Sequence, residues 1–251
     1  MSEPEDDSVL SRAARPPDAT VAYGADRDQV ADVWFGDARA DARPLVLILH
    51  GGFWRPEYDR AHTGPMAEAI ADAGWTVASA EFRRVSGTPA VTLDDVASAL
   101  AELPARIARH DGRVLLVGHS AGGHLALWVA SQRPQPTLAG VLALAPAADL
   151  RLADALNLGN GATRLFLGVD PATRGDVDPR RLAPPAVPVT IVHGDRDDTV
   201  PIEVGRSYAE AHRATRLVAI EGAGHYGPID PLTPAFAVVL DELGTLSRAG
   251  S

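Results

Sequence analysis

Ser120 stands at the centre of Gly118-His119-Ser120-Ala121-Gly122, a pentapeptide of the pattern G-x-S-x-G. The apolar run VLLV precedes this pentapeptide, and the helical pattern GHLALWVA follows it. A serine on a tight turn between a strand and a helix can act as a nucleophile, because its small neighbours let the backbone close and the helix N-terminus presents free N–H groups. We therefore predict that Ser120 attacks a carbonyl carbon.

Two later segments contain the acid and the histidine that such a serine needs. Residues 193–201 follow the apolar run VTIV and include Asp195, Asp197 and Asp198. A run of carboxylates is usually a solvated turn, but one aspartate at a strand end can hold and orient a histidine ring. His225 lies in the loop GAGHYG, after the last apolar run of strand type. Serine, acid and histidine thus occur in the chain order of a serine hydrolase triad.

Residues 50–54, HGGFW, come directly after the apolar run LVLIL. Two adjacent glycines let the backbone turn so that N–H groups face a cavity, as an oxyanion hole requires, although a simple Gly-Gly turn is the alternative. Because the serine motif is also present, we predict that the N–H groups of Phe53 and Ala121 are the donors, with Gly52 as the alternative to Phe53. His50 is predicted to position this loop rather than to take part in catalysis.

The composition excludes several other mechanisms. All 23 basic residues are arginine, and the sequence contains neither lysine nor cysteine. A Schiff-base lysine, a cysteine nucleophile and a thiolate zinc site are therefore excluded. His50, His119 and His193 follow apolar runs but lack the HExxH spacing of a metal hydrolase, so we expect no metal and no cofactor. The formal charge of −10 argues against a nucleic-acid partner.

The sequence also bears on the surroundings of the protein. It contains no run of about 18 apolar residues, and its acidic start lacks the apolar stretch of a leader peptide. We therefore expect no membrane association and a cytoplasmic location. The expected partner is a small-molecule ester or amide substrate, and the expected assembly is a monomer or a homodimer.

Apolar runs and helical patterns alternate along the chain, which predicts an α/β fold with a mostly parallel, doubly wound sheet flanked by helices. The predicted strands are residues 29–34, 45–50, 75–81, 114–119, 140–145, 189–192 and 216–220. The predicted helices are residues 62–73, 93–109, 121–131, 204–214 and 234–246.

The domain organisation follows from the same pattern. Residues 1–18 are polar and without periodicity, and they are predicted to be a disordered lead-in to one domain formed by residues 19–251. About residues 147–188 carry helix-like pieces but no strand, which predicts a short cap-like insertion near the active site. The candidate pocket residues are Phe53, Trp54, His119, Leu165, Phe166 and Tyr226. For Leu165 and Phe166, packing of a short helix on the scaffold is an equal alternative.

Two charged segments near the motifs leave alternatives open. Because the chain has no lysine, an anionic substrate group must be bound by arginine, by a histidinium or by backbone N–H groups. Arg55, beside HGGFW, is the first candidate, with a plain surface charge as the favoured alternative. Glu81 and Arg84 are expected in a solvated loop, with a buried ion pair as the alternative.

Together, GHSAG, HGGFW, the HGxxDxxVP pattern of residues 193–201 and GAGH of residues 222–225 resemble the α/β-hydrolase superfamily, from about residue 20 onward. HGGFW, SAGGHLA, residues 146–150 and ATRLFLG are similar to bacterial esterases of the kynurenine formamidase-like group. In the superfamily's HGxxDxxVP pattern the acid is the fifth residue, which implies that Asp197 is the triad acid. Phe53 replaces the third glycine of the HGGG loop of the hormone-sensitive-lipase type, which makes that subgroup a poorer match.

The resemblance implies an α/β-hydrolase fold and a serine hydrolase with the triad Ser120, Asp197 and His225. The expected reaction is two-step acyl transfer from a small carboxylic ester or an aryl formamide. The alternatives are a peptidase-like amidase and a non-catalytic binding protein of the same fold.

Overall fold

Eight strands form the central sheet of the computed structural model, which describes residues 5–249. In chain order the strands are β1 (Ala19–Ala22), β2 (Val30–Trp34), β3 (Leu45–Leu49), β4 (Val77–Ala80), β5 (Val114–His119), β6 (Leu138–Leu144), β7 (Val189–Gly194) and β8 (Arg216–Ile220). Their spatial order is β1-β2-β4-β3-β5-β6-β7-β8. Neighbouring strands pair in parallel along the part of the sheet that runs β4-β3-β5-β6-β7-β8, whereas β2 pairs antiparallel with both β1 and β4.

The described chain has seven α-helices, five of which cover the two faces of this sheet. The seven helices are α1 (Gly64–Asp72), α2 (Pro89–Arg106), α3 (Ala121–Gln132), α4 (Leu150–Ala155), α5 (Ala162–Leu167), α6 (Ile202–Ala211) and α7 (Pro234–Ala249). Helices α1 and α7 pack on one face, and α2, α3 and α6 pack on the other. Of the helices in residues 5–249, none combines the length and the apolar character needed to cross a membrane.

Strand β3 illustrates why the central strands are apolar throughout. Leu45, Leu47 and Leu49 pack with the core under α2 and α3, while Val46 and Ile48 pack with the core under α1 and α7. Side chains alternate between the faces of a strand, so a strand covered on both faces needs a continuous apolar run. The predicted α/β architecture with a mostly parallel sheet is confirmed.

Strand β1 is an element that the sequence pattern did not predict. It is a four-residue edge strand whose side chains alternate between half-buried and exposed positions. Such a short, partly solvated strand lacks the apolar run on which the prediction relied. Helix α2 also begins earlier than predicted, at Pro89, because proline fits the first turn of a helix.

The predicted insertion contains α4 and α5 and no strand between β6 and β7. Its contacts tie it to neighbouring loops rather than leaving it free over the sheet. The ring of Phe166 on α5 stacks on Trp54 with 4.8 Å between ring centroids. The N–H of Gly87 donates to the carbonyl oxygen of Leu165 at 2.8 Å.

Residues 5–18 differ from the predicted disordered lead-in. Val9 is 1% exposed and packs in the core under α1 and α7. Arg12 forms an ion pair with Asp230, and its Nη2 donates to the Oδ2 of that carboxylate at 3.0 Å. One apolar side chain and one ion pair thus anchor a segment whose composition is polar, which corrects the prediction for residues 5–18. Residues 1–4, the rest of that prediction, lie outside the described residues.

Candidate active site

Ser120 occupies the turn between β5 and α3 in a strained backbone conformation. Its φ of +56° lies in the left-handed region, which residues other than glycine seldom adopt. A Cβ atom on Gly118 would lie 2.2 Å from the carbonyl oxygen of Gly122, and a Cβ atom on Gly122 would lie 2.1 Å from that of Leu49. Glycine at both positions therefore lets α3 pack directly against the strand ends, with Ser120 at its N-terminus.

Asp197 and His225 form a buried hydrogen-bonded pair in the loops after β7 and β8. The Nδ1–H group of His225 donates to Oδ2 of Asp197 at 2.7 Å. The two residues are 2% and 5% exposed, for His225 and Asp197 respectively. Because Nδ1 carries the proton, Nε2 of the neutral ring has the lone pair that can accept another proton.

Three N–H groups donate to the carboxylate of Asp197, and the Nε2–H of His193 is shared between this carboxylate and the carbonyl oxygen of Val200. Oδ1 accepts the backbone N–H groups of Val200 at 2.7 Å and Thr199 at 3.0 Å. Oδ2 lies 3.2 Å from Nε2 of His193 in addition to its bond with His225. Burial by itself raises the pKa of Asp197, but the hydrogen bonds from His193 and His225 outweigh burial and hold that pKa well below its ordinary value. Asp197 is therefore ionised and able to stabilise a positive charge on an adjacent ring.

The other two aspartates of this loop have different surroundings. Asp195 is exposed, and it accepts the backbone N–H of Gly222 at 2.7 Å. Asp198 is also exposed. The structure thus brings His225 together with Asp197, the acid that the family resemblance implied.

The HGGFW loop turns through three consecutive residues with positive φ. The φ angles are +108° for Gly52, +53° for Phe53 and +55° for Trp54. Among the described residues, no backbone acceptor is found for the N–H of Phe53. The N–H of Ala121, the first residue of α3, has no intrahelical partner by the geometry of a helix start. Both groups are available to a ligand, and their role as oxyanion donors stays a prediction.

Ser120 and His225 line a common cavity of about 140 Å³. The predicted oxyanion-loop residues Gly52 and Phe53 and the predicted pocket residues His119 and Tyr226 also line it. The remaining lining residues are Asp7, Leu10, Tyr58, His62 and Thr199. A larger groove of about 750 Å³ adjoins Tyr226 but is not lined by Ser120.

Trp54, Leu165 and Phe166 do not line this cavity, which corrects the pocket prediction for these three residues. Besides stacking on Phe166, Trp54 donates its Nε1–H to Nδ1 of His124 at 3.2 Å. The Nε2–H of His124 in turn donates to the carbonyl oxygen of Val177 at 2.9 Å. Leu165 is 48% exposed. The aromatic side chains therefore join the insertion to the core instead of facing a substrate.

Glu81 and Arg84 form a buried ion pair rather than a solvated loop. Glu81 is 3% exposed, and its Oε1 accepts from Nη1 of Arg84. His50 lies beside this pair, with Nε2 at 3.2 Å from Oε1 of Glu81 and Nδ1–H donated to the carbonyl oxygen of Gly51 at 2.8 Å. These contacts hold the start of the HGGFW loop in place.

Arg55 does not line the cavity either. Its side chain is partly buried, and its Nη2 donates to the carbonyl oxygen of Gly159 in the insertion. The guanidinium thus connects two loops of the protein. Arg55 is therefore neither an anion-binding residue of the cavity nor an exposed surface charge.

The three histidines weighed as metal ligands each have their own hydrogen-bond partners. The Nε2–H of His119 donates to the carbonyl oxygen of His225 at 3.1 Å, and that of His193 donates to Val200 at 2.8 Å. Burial lowers the pKa of His119 well below its ordinary value, with the nearby His225 as the next cause. Within residues 5–249, no three histidine, aspartate or glutamate side chains are grouped to hold a metal ion.

Several residues of the cavity wall are not among the predicted site residues. Three of them are Tyr58, His62 and Thr199. Their closeness in sequence to predicted site residues was the signal that could have identified them. The other two, Asp7 and Leu10, belong to the segment predicted to be disordered. The only sign of their position was the apolar pair Val9-Leu10 within a polar stretch.

Comparison with known proteins identifies relatives among esterases. The BD-FAE family model matches residues 31–148, a range that contains the HGGFW loop and Ser120 and ends before Asp197 and His225. Esterase LipC of Mycobacterium tuberculosis is 27% identical over 247 residues, which cover 82% of this chain and 58% of LipC. The chain thus spans little more than half the length of that relative.

Solved structures establish the fold. A truncated form of a carbohydrate esterase from gut microbiota superimposes with a TM-score of 0.77 at 18% identity, covering 93% of this chain and all of that one (100%). Thermogutta terrifontis esterase 2 superimposes with a TM-score of 0.70 at 24% identity, covering 94% of this chain and 95% of that one. The chain has the α/β-hydrolase fold, as predicted.

Proposed function

We propose that this protein is a serine esterase that hydrolyses a small carboxylic ester through an acyl-enzyme on Ser120. The observation that carries the proposal is the buried Asp197–His225 hydrogen bond of 2.7 Å, beside a cavity that Ser120 and His225 share. Similarity to LipC and to structures of esterases supports an ester as the substrate class.

In the first step, Nε2 of His225 accepts the proton of Ser120 as the hydroxyl oxygen attacks the carbonyl carbon of the ester. The carboxylate of Asp197 stabilises the imidazolium that results. The N–H groups of Phe53 and Ala121 donate to the oxyanion of the tetrahedral intermediate, and each such donor contributes about 3 kcal/mol to transition-state stabilisation. The alcohol then leaves with the proton from His225, and the acyl group stays on Ser120.

In the second step, a water molecule takes the place of the serine hydroxyl as the nucleophile. His225 takes a proton from a water molecule, whose oxygen attacks the acyl carbon. When the second tetrahedral intermediate collapses, the proton returns to the oxygen of Ser120 and the carboxylic acid is released. The cycle needs no group beyond the three side chains, the two N–H groups and water.

The size of the cavity favours short acyl groups. Its volume of about 140 Å³ is well below the roughly 300 Å³ at which sites for drug-sized ligands begin. Thermogutta terrifontis esterase 2 has been solved with propionate bound, and phosphonylated by sarin. For this chain we accordingly propose acetyl-sized or propionyl-sized acyl groups.

The same volume favours an aryl formamide as the second candidate substrate. A formyl group is the smallest acyl group, and it fits wherever acetyl does. The resemblance of HGGFW, SAGGHLA and ATRLFLG to the kynurenine formamidase-like esterases points in the same direction. N-formylkynurenine compared with p-nitrophenyl acetate separates the two candidates, because a formamidase turns over the former with the higher kcat/KM.

Replacing the nucleophile tests the main proposal. We expect Ser120→Ala to reduce p-nitrophenyl acetate hydrolysis by roughly 10⁴-fold or more, since the acyl-enzyme cannot form. Ser98→Ala, on helix α2, is the matched control and should retain full activity. A fluorophosphonate probe should label wild-type Ser120, as read by mass spectrometry of the peptide. Full activity of Ser120→Ala would contradict the proposal, and a wild-type protein that neither reacts with the probe nor hydrolyses esters would favour a binding protein.

A further inference from the structure

Residues 5–12, called the strap below, form one wall of the catalytic cavity. Asp7 and Leu10 line the cavity together with Ser120. Between them, Val9 is buried in the core under α1 and α7. The ion pair of Arg12 with Asp230 fixes the end of the strap to the loop before α7. The cavity wall is therefore made partly by a segment that is remote in sequence from every catalytic motif.

The other end of the strap contacts the loop of the proposed catalytic histidine. A carboxylate oxygen of Glu5 accepts the backbone N–H of Tyr226, the residue after His225, at 3.0 Å. The second oxygen lies 3.5 Å from the hydroxyl of Thr199. A Cβ atom on Gly224 would lie 2.2 Å from Oε1 of Glu5, so a larger residue there would displace this carboxylate. The strap is thus fixed on both sides of Asp7.

The side chains facing the cavity give it an aromatic and acidic character. Its aromatic side chains, apart from histidines, are Phe53, Tyr58 and Tyr226. Among the residues that line it, Asp7 is the acidic one, and its charge adds to burial and to the charge of Glu5 in raising the pKa of the cavity residue Tyr226. Among the described residues that line it none is an arginine, and the sequence has no lysine. A carboxylate beside aromatic faces is a combination that attracts organic cations.

Of the three histidines of the wall, His225 is paired with the carboxylate of Asp197, and His62 and His119 do not offset the charge of Asp7 at neutral pH. Burial, with a contribution from the neighbouring His50, lowers the pKa of His62 to about 4. Burial also lowers the pKa of His119 well below its ordinary value. Both rings are therefore uncharged near pH 7, and the fixed charge on the wall before catalysis begins is negative.

We infer that the strap makes the site selective for esters whose alcohol part carries an ammonium group, with Asp7 as the attracting charge and Tyr58 and Tyr226 as the aromatic faces. This inference rests on the proposed ester hydrolysis and adds a substrate class to it. An anionic alcohol part is disfavoured for the same electrostatic reason. Asp7 takes no part in the bond-making steps and acts on substrate selection alone.

Binding of choline and of its uncharged isostere 3,3-dimethylbutan-1-ol measures this selectivity without turnover. The two molecules have nearly the same shape and differ by one positive charge. We expect calorimetric titration to give about fivefold tighter binding of choline by the wild-type protein. This is the size of effect expected from the attraction between one exposed pair of opposite charges. Asp7→Asn should remove this preference.

Asp6→Asn is the matched control, because it changes the net charge by the same amount. Asp6 lines the larger groove rather than the catalytic cavity, and an asparagine can still accept the N–H of Ser8 that Asp6 accepts at 2.9 Å. The control should keep the choline preference. The inference is overturned if the wild-type protein binds both alcohols equally, or if Asp6→Asn loses the preference as fully as Asp7→Asn does.

Turnover supplies the second measurement. The ratio of kcat/KM for acetylcholine to that for 3,3-dimethylbutyl acetate should fall about fivefold in Asp7→Asn and should keep its wild-type value in Asp6→Asn. A wild-type protein that hydrolyses none of these esters defeats the proposed function, whereas the binding comparison still decides the charge selectivity of the cavity.

Discussion

Two buried carboxylates in this molecule each hold a histidine at the carboxyl edge of the sheet. After β7 and β8, Asp197 accepts Nδ1–H of His225 at 2.7 Å. After β3 and β4, Oε1 of Glu81 lies 3.2 Å from Nε2 of His50. His225 lines the cavity with Ser120, whereas His50 uses its Nδ1–H to hold its own loop. Nε2 of His50 also lies 3.2 Å from Nη1 of Arg84, whereas Nε2 of His225 has no hydrogen-bond partner among the described residues.

The partners of the two carboxylates explain the difference. Glu81 also binds the guanidinium of Arg84 and accepts the backbone N–H groups of Arg60 and Phe82, each at 3.0 Å. Burial raises the pKa of Glu81, but His50 and Arg84 together hold it below its ordinary value. Among the described residues, the side-chain partners of Asp197 are His193 and His225. A buried carboxylate can thus fasten a loop when arginine neutralises it, or support an imidazolium when histidine is its partner.

The largest expected effect is the loss of esterase activity when Asp197 is replaced. Asp197→Asn should lower kcat for p-nitrophenyl acetate by about 10⁴-fold, because the amide cannot stabilise the imidazolium or hold the productive tautomer of His225. The exposed neighbour variant Asp198→Asn should stay within twofold of wild type. Steady-state kinetics on the three proteins, with circular dichroism to confirm folding, check this. Comparable activity of Asp197→Asn and wild type would remove Asp197 from the triad.

The second prediction concerns stability. Glu81→Gln leaves the buried guanidinium of Arg84 without its counter-charge, and the free energy of unfolding should fall by roughly 3 to 5 kcal/mol. Urea titration measures the change. Glu102→Gln breaks the exposed ion pair with Arg106, 2.8 Å long, and should cost less than about 1 kcal/mol. If Glu81→Gln instead lost activity as completely as Asp197→Asn at unchanged stability, the contrast between the pairs would be wrong.

A third buried carboxylate, Asp178, has no histidine partner among the described residues. Its Oδ1 accepts the N–H groups of Leu150 and Arg180, each at 3.3 Å, while its Oδ2 is buried without a hydrogen-bond partner among the described residues. Burial raises the pKa of Asp178 to about 6. Without donors to both oxygens, burial determines the direction of the shift.

The raised pKa predicts how Asp178 affects stability with pH. Between its ordinary value of 3.8 and about 6, the native state keeps a proton that the unfolded chain releases, so stability falls as the pH rises through this window. Asp178→Asn removes this cost and should raise the free energy of unfolding by roughly 2 to 3 kcal/mol at pH 7, with little change at pH 4. Urea titrations at both pH values check this. Destabilisation by Asp178→Asn at pH 7 would show instead that the native carboxylate is ionised and well solvated.

The smallest perturbation is a titration without mutation. With ¹³C-labelled aspartate, the carboxyl resonance of Asp178 should titrate near pH 6, while that of Asp197 should stay at its ionised position down to pH 4 and below. The resonances can be assigned from the spectra of Asp178→Asn and Asp197→Asn. Titration of both groups at the same pH would show that histidine donors do not distinguish the two sites.

Much of the fold and of the candidate site could be predicted because the signals are local. The run LVLIL requires a strand buried on both faces, and Gly118 and Gly122 are required by contacts of about 2 Å that any side chain would make. These constraints act within a few residues of Ser120. Edge strand β1, by contrast, was missed because its half-solvated residues carry no apolar run.

The walls of the cavity could not be predicted in the same way. Trp54 and Phe166 are aromatic residues near the motifs, yet they stack on each other in the core and not in the cavity. Asp7 and Leu10 reach the cavity because Val9 is buried under α1 and α7 and because Arg12 pairs with Asp230. Side-chain direction at these positions follows from packing between segments that are far apart in the chain.

The α/β architecture, the serine on its turn and the order of the three triad candidates could be predicted from the sequence, because short-range sterics and the alternation of strand side chains act through neighbouring residues. Three features follow only from the folded structure. His225 is paired with Asp197, Asp195 and Asp198 are exposed, and the strap forms one wall of the cavity. Those outcomes depend on hydrogen bonds, ion pairs and apolar contacts between distant segments. Such contacts exist only once the chain has folded around its sheet.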